Sequence, residues 1–212
     1  MKLSKCFGWM AAGILAAGLA SGLAGCSMTP QVKGEASADK SFEASRATPL
    51  GIVVTDEGGR VPQGGATEIE TSCLQALMGK NYELVERAKL SSLVINELRF
   101  QQSGMTDADA VELGKLANAK AMMLVQVTDL RSVQSGNERS LITFTRERAR
   151  LTMRIIDVQT GRLLWLASSQ GTNSAIGGSE PIELVKKMVS ETIAKLPAPG
   201  EATATPLATA SK

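Results

Sequence analysis

The chain has 212 residues, with 23 Lys and Arg against 21 Asp and Glu, no His, three Cys and 3% aromatic residues. Near-neutral charge with few rings excludes a general nucleic-acid binder, which needs a basic surface for phosphates and aromatic platforms for bases. The absence of His removes Ser-His-Asp and Cys-His catalysis and His-based zinc sites, so no catalytic residue, metal or cofactor is expected.

Lys2 and Lys5 precede an apolar stretch from Gly8 to Leu23 that only Ser21 interrupts. A basic start, an apolar run and a small-residue exit describe a secretory signal. A spanning helix also fits, since roughly twenty residues cross the hydrocarbon core. The ending Leu23-Ala24-Gly25-Cys26 resembles the lipobox of bacterial lipoproteins. That resemblance implies cleavage after residue 25, a diacylglyceryl group on the Cys26 thiol and acylation of the new amine. Several acyl chains would then hold the protein on a bilayer, where one alone is marginal. Ser27, being other than Asp, resembles an outer-membrane address. Removing residues 1–25 takes away Lys2 and Lys5 alone, leaving 21 basic against 21 acidic residues. With Cys6 lost and Cys26 acylated, only Cys73 remains, and no internal disulfide can form.

Residues 26–47 are small and polar without apolar period and read as a flexible tether. Residues 48–196 read as one domain. A strand at 50–55 leads through a glycine loop (Gly58, Gly59, Gly64, Gly65) into a helix at 66–79 with Ile69, Cys73, Leu74 and Leu77 on one face. A strand at 82–85 and a helix near 89–99 follow. Thr106 with Asp109 forms a capping-box pattern for a helix running to about residue 118, in which Gly114 and Ala117 permit close packing. A strand at 121–131 and two long strands at 141–158 and 162–172 come next, the last two joined by a turn at Gly161. Ser179 and Pro181 open a final helix with the stripe Ile182, Val185, Val189, Ile193 and Leu196. Residues 197–212 read as a disordered tail. The order βαβααβββα predicts an α+β fold, one mixed sheet of about five strands covered by about four helices.

Alternation places Arg146, Arg148 and Arg150 on one strand face, with Arg154 continuing the row. This is either a solvated face or a surface for a protein partner or acidic polymer. The glycine loop lacks the Lys-Ser/Thr ending of a P-loop. Asp107, Asp109 and Glu112 suit the first turn of a helix better than a catalytic pair. Cys73 reads as a small buried apolar residue and Trp165 as core.

Three segments together resemble the curli-secretion (CsgG-like) family: residues 82–99 with their Val-Glu-Arg, residues 113–131 with Leu-Gly and an apolar strand, and the Ile156-Asp157-Val158-Gln159-Thr160-Gly161 hairpin. The resemblance covers about residues 48–196 and implies a compact periplasmic domain. Channel-forming members add long hairpins that build a shared barrel with an apolar outer face. Residues 141–150 carry four charges and a single aromatic, Phe144, so those hairpins are not expected here. The expected role is a non-enzymatic envelope lipoprotein that binds partner proteins to assemble or regulate a surface or cell-wall machine, lipid-anchored in the outer membrane and facing the periplasm. An oligomeric secretion or pore subunit and an activator of a peptidoglycan synthase are the alternatives.

Overall fold

The computed structural model describes residues 29–56, 59–86, 90, 106–135, 144–176 and 180–200. Its centre is a sheet of five strands: β1 (Gln31–Ala38), β2 (Leu50–Asp56), β3 (Ala121–Ser135), β4 (Phe144–Asp157) and β5 (Leu163–Ile176), in the order β1-β5-β4-β3-β2. β2 runs parallel to β3 and the other neighbours are antiparallel, so the sheet is mixed, as expected. Three helices lie wholly among the described residues: α1 (Gly65–Met78), α2 (Asp107–Ala117) and α3 (Pro181–Ala194).

The helices sit where their sequences put an apolar stripe. α1 and α3 pack on one face, where Ile69, Cys73 and Leu77 meet Ile182, Val185, Val189 and Ile193 over Met123, Val125, Leu151, Met153, Ile155 and Trp165. α2 covers part of the opposite face, bringing Ala110, Leu113 and Ala117 onto Met122, Leu124, Ile156 and Val158. The capping box is present: the Asp109 amide donates to Thr106 Oγ1 at 3.2 Å, and the Thr106 amide to Asp109 Oδ2 at 2.9 Å. Pro181 stands in the first turn of α3, where its missing amide hydrogen costs nothing. The β4–β5 hairpin turns on Asp157, whose Oδ1 accepts from the amides of Gln159 (2.9 Å) and Thr160 (2.6 Å), while Gly161 supplies φ 69°. The motif Val-Asp-Val-x-Thr-Gly, represented by residues 156–161, is therefore turn chemistry.

Three expectations need correction. The stretch read as a flexible tether holds β1, paired with β5 from Gln31↔Thr172 to Ala38↔Trp165. It then turns into the core through Phe42, which is 1% exposed, and a 3-10 turn at Ala44–Ala47. It carries no apolar period because β1 is an edge strand with small residues turned toward the helices. A Cβ on Gly34 would lie 2.8 Å from the Ser168 carbonyl oxygen. Second, residues 82–85 make one parallel bridge, Leu50↔Leu84, and no strand; the strand that completes the five is β1, so two strands precede the first helix. Third, the tail begins later than residue 197. Lys80 Nζ donates to the Leu196 carbonyl at 2.7 Å and the Tyr82 hydroxyl to the Pro197 carbonyl at 2.6 Å.

The helix expected near residues 89–99 lies outside the described residues except for Leu90, which is helical and buried. The signal, Cys26 and residues 201–212 also lie outside them.

Candidate functional site

β3, β4 and β5 run on past the end of α2, so the sheet face that α2 covers at one end is uncovered by described residues at the other. On that open part β4 alternates: Arg146, Arg148 and Arg150 are exposed while Thr145, Glu147 and Ala149 are buried. Alternation also separates the charges by sign. Glu147 turns to the opposite face, where its Oε2 accepts from Asn173 Nδ2 at 3.0 Å, and the arginines are left without the acid that lies between them in sequence.

Cross-strand register enlarges the row. Arg148 stands between Arg131 of β3 and Thr172 of β5, and Thr172 pairs with Gln31. Arg150 stands between Asp129 and Gln170, and Gln170 pairs with Lys33. Gln31, Lys33, Arg148, Arg150, Gln170 and Thr172 line an open hollow of about 350 Å³. A second hollow of similar size continues past Arg150 toward Thr152 and Glu35. Of the acids on this surface, Asp129 is already engaged, its Oδ1 accepting from Arg60 Nη1 at 3.1 Å and from Arg131 Nε at 2.8 Å, and Glu35 lies at the rim beside Lys33. The surface is therefore strongly cationic and able to hold an anionic group.

Arg154 is separated from this row. It shares the strand face, but α2 lies over it, and its Nη1 pairs with Asp107 Oδ1 at 3.0 Å with the side chain only 26% exposed. It fastens the helix to the sheet. Asp107 and Asp109 are thus an ion-pair partner and a cap. In the described part of the glycine loop, Gly59 and Gly64 adopt positive φ. Two of its amides are engaged internally, Val61 donating to Asp56 Oδ2 at 2.9 Å and Gly65 to the Pro62 carbonyl at 2.8 Å. Nearby carboxylates Asp56 and Asp129 disfavour an anion there. Cys73 has no exposed surface, and burial pushes its thiol up to about 12. Among the described residues no group of three or more acidic or Cys side chains could hold a metal ion, and no helix is long and apolar enough to cross a membrane.

Lys33, Gln31 and Arg131 escaped sequence reasoning. Only the pairing register brings them beside Arg148 and Arg150, and two of them lie in the segment read as tether.

The fold is a short α+β domain with one helix-covered sheet face and one cationic face left partly open by the described residues. Residues 66–180 match the family model of CsgG, the curli production assembly/transport component, and the chain belongs to that family. Among solved structures, the PelC dodecamer from Paraburkholderia phytofirmans is similar at 12% identity and TM-score 0.47, over 76% of this chain and 94% of that one. Lipoprotein GNA1162 from Neisseria meningitidis gives 21% and 0.41, over 67% and 92%. The LpoB C-terminal domain from Salmonella enterica gives 19% and 0.36, over 66% and 87%. No curated protein sequence matches the chain.

Proposed function

We propose that this CsgG-family domain belongs to a membrane-anchored envelope lipoprotein that assembles or regulates a surface or cell-wall machine by binding. In this reading Leu23, Ala24 and Gly25 direct cleavage before Cys26, Cys26 carries the lipid, and the domain faces the periplasm from the outer membrane. The observation that carries the binding role is the open sheet face, where Arg146, Arg148, Arg150 and Lys33 present positive charge that makes no salt bridge among the described residues, with Arg131 beside them paired to Asp129. Supporting a non-enzymatic role, Cys73 is buried and held neutral, while Asp107 and Asp109 are engaged structurally.

Two measurements test this. Radiolabelled palmitate is expected to enter the wild-type protein and not Cys26→Ala; equal labelling, or none, overturns the anchor. A photoreactive side chain at position 148 in living cells is expected to capture an envelope component. If its adducts do not exceed those of the same group at the exposed Glu191 on α3, this face is not the contact surface.

A further inference from the structure

We propose that the open basic face docks on the phosphate headgroups of the bilayer that holds Cys26, so that the domain lies against the membrane. The proposal deepens the lipoprotein reading and rests on it. Its first support is chain length. β1 begins at Gln31, five residues after Cys26, and five residues span at most about 18 Å. With the stretch once read as tether folded into the sheet, no long leash separates the lipid from the domain.

Position is the second support. Gln31 is at the end of β1 where the chain leaves toward the lipid, and it sits level with Thr172, Arg148 and Arg131 across the sheet. Neighbouring strands are about 4.8 Å apart, so Arg148 is roughly 10 Å from Gln31 and Arg131 roughly 14 Å. The chain therefore leaves toward the lipid at the end of the sheet where the cationic surface lies, with the Pro30 carbonyl accepting from Lys187 Nζ of α3 at 3.1 Å.

Charge is the third. Arg131 and Arg148 stand directly opposite on adjacent strands, an arrangement that repels. Arg131 shares Asp129 with Arg60, and Glu147 is on the other face. Lys33, Arg146, Arg148 and Arg150 make no salt bridge among the described residues. An external layer of anions relieves that repulsion, and a phospholipid surface supplies anions at a density that suits a row of cations. On the same face Val133, 61% exposed, stands opposite Arg146, and Phe144, 53% exposed, lies beyond them. Apolar side chains beside basic ones suit the headgroup boundary, where rings and stems enter the acyl region while charges stay at the phosphates.

The test uses the whole mature chain from residue 26 with Cys26→Ser, so that the face is read without the lipid, while palmitate labelling reads the lipid without the face. Vesicles of phosphatidylglycerol and phosphatidylcholine in equal parts are expected to sediment the protein, and vesicles of phosphatidylcholine alone to leave it in solution. Arg148→Glu/Arg150→Glu should weaken binding to the anionic vesicles at least tenfold, in line with the attraction each cation supplies at such a surface. Phe144→Ala should weaken it several-fold. All these side chains are exposed, and an unchanged circular dichroism spectrum verifies folding. Equal binding to both vesicles, no binding to either, or undiminished binding by the double variant overturns the docking. If the position 148 crosslinker captures an acidic protein while the vesicles bind nothing, the binding role stands and the membrane is not its partner.

Discussion

Cys73 lies in the core with Ile69, Leu77 and the stripe of α3, and its burial fixes both its reactivity and its pH response. The folded thiol is pushed up to about 12 from an ordinary value of 9.0, chiefly by desolvation. Its contribution to stability is therefore fully present below about 9 and declines as pH rises from there toward 12, because only the unfolded chain gains the thiolate in that window. Near neutral pH a thiol reagent should modify nothing in the folded, lipidated protein and one thiol after denaturation. A thiol reactive in the folded state would mean either a free Cys26 or an opened core. Gly114 of α2 is a second test of packing. A methyl there would press into Val158 Cγ2 and lie 2.9 Å from Met122 Cγ. Gly to Ala in a helix gains up to about 1 kcal/mol of propensity, while overpacking a filled site costs about 1–3 kcal/mol. Val158 is branched at Cβ and cannot swing aside freely, so the clash should win and Gly114→Ala should lower the thermal midpoint. Thr106→Ala removes one half of the capping box and should cost about 1 kcal/mol, seen as a smaller drop in the same assay.

At the scale of elements, β1 and the turn after it decide where the domain begins. Phe42, Ala44 and Ala47 all belong to the main core, so a chain starting at residue 48 loses a buried aromatic and an edge strand together. Deleting a buried Phe side chain alone costs about 3–5 kcal/mol. In urea the 48–212 chain should unfold at a clearly lower midpoint than the 29–212 chain, and coincident midpoints would refute the placement of Phe42. The same elements show what the sequence could reveal. β4 was legible because the alternation of Leu151, Met153 and Ile155 with Thr152 and Arg154 records its one buried face, and β3 because its first residues, buried on both faces, make a continuous apolar run. α2 announced itself through Thr106 and Asp109. β1 was not legible, since an edge strand close to the carbonyl of Ser168 needs Gly34 and small neighbours, which imitate a linker. Residues 82–85 erred the other way: Tyr82 is buried and apolar residues surround it, yet they pack at the sheet edge with a single bridge. In the candidate site, alternation found Arg146, Arg148 and Arg150. It could not find that α2 roofs Arg154, or that register adds Lys33 and Arg131, because both are facts of tertiary neighbourhood.

For the molecule as a whole, the short distance from Cys26 to β1 makes orientation a consequence of covalent structure. A short tether holds the basic face at high effective concentration against the surface it leaves from, and lengthening the tether dilutes that concentration. Each headgroup contact is weak and screened by salt over about 8–10 Å, so the short leash adds to what the face binds by itself. This can be read with a single thiol. Because Cys73 is buried and Cys26 acylated, Arg148→Cys would introduce the one reactive thiol of the lipidated protein. On membranes that thiol should be slow toward a water-soluble maleimide, and a flexible Gly/Ser insert between residues 28 and 29 should speed the reaction several-fold while leaving palmitate incorporation unchanged. Raising the salt should do the same without the insert. If the thiol reacts as fast in the native spacing as in the extended one, the face is open to water and the domain stands away from the bilayer despite its short attachment.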